Sequence, residues 1–223
     1  MISVENLSKE FVYGNNKFDV LNGVSFKIED GEMLAIMGPS GSGKSTLLNI
    51  LGLSDSPTGG TYLFDGIDTK TFSDTKKAEM RNSVIGFIFQ DFALLPFENA
   101  ITNVELPLCL GKTKGKEIRK RAEQALTAAN LPEQEWKKPV KLLSGGEQQR
   151  VATARAIVTG AKLILADEPT GAMDSENAKL LMEMLKELNR AGKTVVIVTH
   201  DSFVASRCGR VINIKDGKIV ADN

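Results

Sequence analysis

The densest chemistry in this 223-residue sequence lies in eight consecutive residues, Gly38-Pro39-Ser40-Gly41-Ser42-Gly43-Lys44-Ser45, with Thr46 after them. They match the P-loop pattern, in which glycines let backbone N–H groups converge on phosphate oxygens without Cβ interference. An apolar run at 33–37 precedes them, and a helix is expected from 45 to about 53. The N-terminus of that helix adds a dipole favourable to anions. Lys44 has the reach and charge for β- and γ-phosphates, and Ser45 can offer a hydroxyl to Mg2+. The plain alternative is a flexible Gly/Ser loop. The fixed Gly-Lys-Ser and its flanking elements argue against it. A P-loop alone does not say what its nucleotide is for. A guanine reader needs an Asn-Lys-x-Asp motif, and the nearest segment, Asn213-Ile214-Lys215-Asp216, has the wrong order.

The elements that must hold this loop follow from periodicity. Residues 2–7 and 24–29 alternate as strands around a polar Gly14-Asn15-Asn16 turn, and 61–64 is a further strand closed by Asp65-Gly66. These early strands fit an antiparallel subdomain. Residues 33–37, 84–89, 163–166 and 194–199 are short apolar runs, expected as buried strands. The stretch from about 99 to 130 is mainly helical, broken near 110–115. Ser144 can cap a helix to about 159. Residues 176–191 form an amphipathic helix with Leu180, Leu181, Met184, Leu185 and Leu188 on one face, stopped by Gly192. Residues 211–214 and 218–220 pair as a hairpin around Asp216-Gly217. Alternating buried strands and helices imply an α/β fold with a parallel sheet covered on both faces.

Bulk composition narrows the partners. Lys plus Arg and Asp plus Glu are both 28, so no basic bias suggests nucleic acid. Cys109 and Cys208 have no metal or disulfide spacing, and a reduced compartment is the simple reading. Residues 1–10 do not read as a signal peptide. No apolar stretch approaches the roughly 20 residues that cross a bilayer. A membrane role therefore needs a second chain.

Five further segments carry a family resemblance. Leu143-Ser144-Gly145-Gly146-Glu147-Gln148-Gln149-Arg150 resembles the signature motif of ABC transporter ATP-binding proteins. Leu163-Ile164-Leu165-Ala166-Asp167-Glu168-Pro169 resembles their Walker B strand. Asp174 fits the D-loop, His200 the switch histidine and Gln90 the Q-loop, all in the family's order. The resemblance spans essentially the whole chain. It is strongest to the lipoprotein-release and macrolide-efflux group (LolD/MacB-like), through Ile85-Gly86-Phe87-Ile88-Phe89-Gln90-Asp91-Phe92 with Leu95-Pro96, through Asn103-Val104-Glu105-Leu106-Pro107-Leu108, and through Asp167-Glu168-Pro169-Thr170-Gly171-Ala172-Met173-Asp174.

The resemblance implies a P-loop NTPase fold with a parallel core sheet, an antiparallel β subdomain and a helical signature subdomain. It implies one domain over 1–223, with 1–90 and 160–223 as the nucleotide-binding core and 91–159 as the helical lobe. ATP is the implied substrate and Mg2+ its ion, held by Ser45, Asp167 and Gln90. Glu168 would polarise the attacking water. His200, the sole histidine, would sense the γ-phosphate. Phe11 would stack on adenine, with Tyr13 close by, although either ring could be core. Ser144 and Gly146 would meet ATP held by a second copy, and Asp174 would run along that interface or simply cap a helix. The implied partners are a second copy of the chain, in an ATP sandwich, and an integral membrane permease. The permease would dock in a groove by Gln90, lined by Phe92, Leu94, Leu95, Pro96 and Phe97 unless these are ordinary packing. The implied place is the cytoplasmic face of the membrane, with no nucleic-acid partner.

Three function classes follow. The first is an ATPase driving a permease in export, lipoprotein release or antimicrobial and macrolide efflux. The second is a cell-division-type regulatory ATPase that transmits motion to extracytoplasmic partners. The third, nucleic-acid maintenance or ribosome work, is disfavoured: only about a hundred residues separate P-loop from signature, without sustained heptads, and the chain carries one cassette. The basic run at 112–121 reads as a solvated helix face or a lipid-headgroup contact. Arg150 could steady the signature region or sit in a surface ion pair, and Trp136 reads as packing.

Overall fold

The computed structural model describes residues 1–111, 113–171 and 173–223; Lys112 of the basic run and Ala172 of the Walker B string lie outside the described residues. Two sheets carry the chain. The first is antiparallel, in the order β2-β1-β4-β5, from β1 (Ile2–Tyr13), β2 (Asn16–Ile28), β4 (Gly59–Phe64) and β5 (Ile67–Asp68). The second has the order β10-β9-β3-β8-β7-β6, from β3 (Met33–Met37), β6 (Ile85–Ile88), β7 (Leu163–Asp167), β8 (Thr194–Thr199), β9 (Arg210–Lys215) and β10 (Lys218–Asp222). β9, β3, β8, β7 and β6 run parallel, and only the edge strand β10 is antiparallel.

The parallel strands are where the sequence says they should be, because β-branched and aliphatic runs buried on both faces leave no alternation to misread. All six residues of β8 are buried. β1 and β2 run well past the apolar segments that announce them, since their far ends form an exposed ribbon with register shifts along the pair.

The α-helices are α1 (Lys44–Leu51), α2 (Asp74–Ser83), α3 (Ala100–Leu110), α4 (Gly115–Ala128), α5 (Gly145–Ile157), α6 (Ser175–Arg190) and α7 (Ser202–Ala205), with short 3-10 turns at Thr69–Thr71, Glu133–Glu135 and Val140–Leu142. The break between α3 and α4 falls at the expected glycine-flanked stretch. α3, α4 and α5 share their own core, built on Ile101, Val104, Leu126 and Val151. A second core joins the antiparallel sheet, α1 and one face of the parallel sheet. A third fills the opposite face beneath α6 and α7. α6 buries Leu181, Met182 and Leu185 against it with Leu188 partly buried alongside, and Met184 enters the helical core, while Leu180 turns outward at 47% exposure. Four residues of the expected stripe, Leu181, Met184, Leu185 and Leu188, thus face the core, and Met182 rather than Leu180 completes it. No helix among the described residues is long and apolar enough to cross a membrane.

Candidate active site

Strand order builds the site. β8 lies between β3 and β7. Its C-terminal end, Thr199 and His200, therefore emerges between the P-loop that follows β3 and the carboxylates that end β7. Parallel sheets collect ligands at these C-terminal strand ends. Here they open a cleft of about 750 Å3 lined by Val20, Pro39, Ser40, Gly41, Gly43, Lys44, Ser45, Thr46, Gln90, Glu168 and His200.

The loop is held tightly enough that glycine is required in it. Gly43 has φ of 97°, and a Cβ there would stand 2.7 Å from the Val20 carbonyl oxygen. A Cβ on Gly38 would collide with the Ile214 carbonyl and stand 2.8 Å from the Ser42 hydroxyl, which is buried without a hydrogen-bond partner among the described residues. Lys44 is 7% exposed, and its Nζ donates to the carbonyls of Gly38 and Pro39 at 2.9 Å each. The ammonium is thereby fixed at the mouth of the loop. α1 starts at Lys44, so its first N–H groups face the cleft without helical acceptors.

Opposite the loop, the Ser45 Oγ donates to Asp167 Oδ1 at 3.3 Å. Burial pushes the Asp167 carboxyl up; the Ser45 bond opposes this, neighbouring Glu168 adds to it, and Lys44 opposes it. A partly buried carboxylate beside a hydroxyl is a hard-oxygen donor pair, the set that suits Mg2+ together with phosphate oxygens. Gln90 lines the same cleft from the end of β6.

Glu168 is fixed by three contacts. Its N–H donates to the Val198 carbonyl at 2.9 Å. Its carboxylate accepts from the Thr199 hydroxyl at 3.2 Å and lies 2.8 Å from His200 Nδ1. Its φ is 43°, a left-handed backbone that costs a β-carbon residue about 1 kcal/mol or more. Thr199 is fully buried and also accepts from the Asp201 N–H, so one hydroxyl ties the glutamate to the turn carrying His200. Thr199 had no motif to announce it. Its position at the end of an apolar strand, beside the histidine, was the only signal.

Not every expected residue reaches the cleft. Ser40, Gly41, Gly43, Lys44, Ser45, Thr46, Gln90, Glu168 and His200 line it, Asp167 joins through Ser45, and Gly38 and Ser42 belong to the same loop but stand outside the lining. Phe11 stands outside the lining. It sits on the exposed β1–β2 ribbon opposite Phe18, with Lys9 Nζ 4.8 Å from its ring centroid, and Tyr13 is 82% exposed. The apolar wall facing the loop is Val20, at a register shift in the ribbon, a position that alternation alone could not mark.

Ser144, Gly146 and Asp174 also lie outside the lining. They form a second constellation of their own. Ser144 caps α5 in a capping box with Glu147. Asp174 caps α6, accepting from the Asn177 N–H at 2.8 Å and from Asn177 Nδ2 at 2.8 Å; these bonds hold its carboxyl low. The Asn177 amide packs on Gly146, where a Cβ would stand 2.9 Å from its Oδ1. Asn177 thus bridges the tip of α5 and the loop before α6, a role invisible in a residue with no motif of its own.

Of the 92–97 segment only Ala93 lines the neighbouring groove, and Phe92, Leu94, Leu95, Pro96 and Phe97 stand outside its lining. That groove is formed by Arg81, Phe87, Phe89, Leu106, Pro107, Leu110 and Arg155, among others. Leu94 packs into the helical core, and Phe97 stands exposed with Lys141 Nζ 4.5 Å from its ring. The reason is backbone geometry. Phe92 and Ala93 both take positive φ, and Arg155 donates to both of their carbonyls, a turn that leaves Ala93 and not Phe92 against the groove.

Residues 21–171 match the family model described as ABC transporter. The chain is 48% identical over its full length to the uncharacterized ABC transporter ATP-binding protein YvrO of Bacillus subtilis (strain 168), spanning 96% of that protein. It is 46% identical to the macrolide export ATP-binding/permease protein MacB of Brucella melitensis, of which it spans 34%. Its fold superposes at TM-score 0.93 and 44% identity on the ATP-binding cassette MJ0796, in a dimeric post-hydrolysis state bound to ADP and Pi, across all of this chain and 98% of that one. These likenesses and the geometry above agree: the chain belongs to the ABC transporter ATP-binding family, the ATP-hydrolysing cassettes, and sits with its MacB-like members.

Proposed function

We propose that this chain drives a separate membrane permease in export, such as efflux of an antimicrobial or release of a lipoprotein. It does so by closing as a dimer around two ATP and reopening after hydrolysis. The observation that carries this reading is the junction at the end of β6. Gln90 lines the phosphate cleft and its neighbour Phe89 lines the apolar groove. A change in the cleft therefore shifts the groove through one peptide unit. The Phe89 ring stacks on Phe87 at 4.3 Å, which stiffens that link. Relatives named as macrolide and syringafactin exporters carry a cassette like this one joined to a permease, which supports an export partner here.

Within the closed site Lys44 and the loop N–H groups hold the β- and γ-phosphates. Ser45 and Asp167, with Gln90, suit the ion. Mg2+ when bound supplies neutralising charge to the β- and γ-oxygens. Glu168 accepts a proton from the attacking water, and His200 orients both the glutamate and the γ-phosphate. Phe11 lies on the same ribbon as Val20 and offers the ring for adenine. Ser144 and Gly146 of the second copy complete the clamp, with Asp174 along the interface. Residues 91–159 act as a lobe that carries both the groove wall and α5. The working place is the cytoplasmic face of the membrane.

The test is purification of the tagged chain from detergent-solubilised membranes. An integral membrane protein is expected to co-elute. It is expected to be lost when Leu110, 75% exposed in the groove, is changed to Asp. Co-elution that ignores Leu110→Asp, or a chain recovered wholly apart from membranes, contradicts the reading.

A further inference from the structure

The tip of α5 carries a negative charge at the place where the composite site needs to receive one. The Ser144 Oγ donates to Glu147 Oε2 at 2.8 Å, and the Ser144 N–H donates to the same oxygen at 2.7 Å. The hydroxyl has one proton, and it is committed to a carboxylate of its own helix. Ser144 is exposed and Glu147 half-buried. Burial alone would push the Glu147 carboxyl up, but the two bonds from Ser144 together with Lys138 and Arg150 outweigh it. The net shift is downward, so Glu147 is an anion at neutral pH.

This inference rests on the composite-site reading, in which Ser144 of one copy meets the triphosphate of the other. The γ-phosphate then needs the proton that Glu147 already holds, and the same helix N-terminal field. Two anions compete for one donor in a partly water-excluded interface, where Coulomb repulsion exceeds its value in bulk water. We propose that Glu147 is a positioning residue that sets the affinity of ATP-driven dimer closure, as an internal acceptor that the γ-phosphate must displace from Ser144. A glutamine at the same place can still accept the Ser144 N–H through its amide oxygen, and it carries no charge to repel phosphate. The competition occurs twice per dimer, once at each ATP. It makes closure looser than the P-loop contacts alone dictate, and it leaves room for a bound permease to shift the balance.

The experiment measures the ATP-dependent monomer–dimer Kd by sedimentation in a Glu168→Gln background at low salt. Glu147→Gln is expected to tighten the dimer about tenfold, and the gap is expected to shrink at high salt as charge is screened. The nucleotide-free melting temperature is expected to stay level or fall, because the variant loses a charge–dipole contact. A purely structural cap gives that fall without any tightening, which overturns the proposal. Ser144→Ala serves as the control. If Ser144→Ala loosens the dimer and Glu147→Gln does not tighten it, the Glu147 proposal fails and the composite site stands. If Ser144→Ala leaves the Kd unchanged, the composite reading itself fails and takes the proposal with it.

Discussion

Glu168→Gln is expected to bind ATP, to lose at least about a hundredfold in turnover, and to accumulate as an ATP-bound dimer. Its carboxylate is 14% exposed at the cleft, held from one side by Thr199 and from the other by His200. A glutamine keeps the size of the side chain and can still accept from the Thr199 hydroxyl. It cannot take a proton from water. The substitution also removes a negative charge beside the γ-phosphate, so binding is expected to strengthen slightly while chemistry stops. Phosphate release under single-turnover conditions separates the two effects, and gel filtration with ATP reads the dimer. Turnover within about threefold of the parent chain would remove Glu168 from the proton-transfer role.

Lys44→Ala is expected to weaken ATP binding by about a hundredfold or more. The lysine head is buried at the loop mouth by two carbonyl bonds, so its charge is pre-positioned and little entropy is lost when phosphate arrives. A hydrogen bond from a charged donor to a charged acceptor contributes about 1.5–3 kcal/mol net, and Lys44 faces more than one phosphate oxygen. Titration calorimetry with ATP reads the loss directly. An affinity within about threefold of the parent chain would show that the loop N–H groups hold the triphosphate without it.

The parallel core was legible because its strands are continuous apolar runs, and the P-loop because glycine, lysine and serine stand at fixed spacing. The antiparallel ribbon was half legible: its buried start alternates, but its exposed end at residues 10–20 does not, and there the Val20 wall was missed. α2 escaped because none of its residues is fully buried and only Met80 packs on the core. Its only marks are the Ser73 cap and an acidic first turn, which a reading of periodicity passes over. Periodicity does not separate Leu180 from Met182 at the edges of the α6 stripe, because Leu180 to Met182 is one apolar run, and packing against the sheet buries Met182 and leaves Leu180 outside. Thr199 and Asn177 act through contacts between distant segments, which no local pattern encodes. Which residues line the groove beside Gln90 was hidden for a similar reason. Two consecutive positive φ values at ordinary residues, stabilised by Arg155 from 62 and 63 positions away, turn Phe92 aside.

The separation of Ser144 and Gly146 from their own phosphate cleft is the feature on which the mechanism turns. In one copy the cleft ends at Glu168 and His200, and the α5 tip opens elsewhere, beside Asn177. A relative of the same fold, MJ0796, has been solved as a dimer in two structures. The most direct measurement is ATP hydrolysis per protomer as the protein is diluted below its dimer Kd. A composite site requires the specific rate to fall in proportion to protein concentration, and to be lost at all concentrations when Ser144 is changed to Arg. A specific rate that stays constant on dilution, with the Ser144→Arg chain equally active, would mean that a single copy hydrolyses ATP alone.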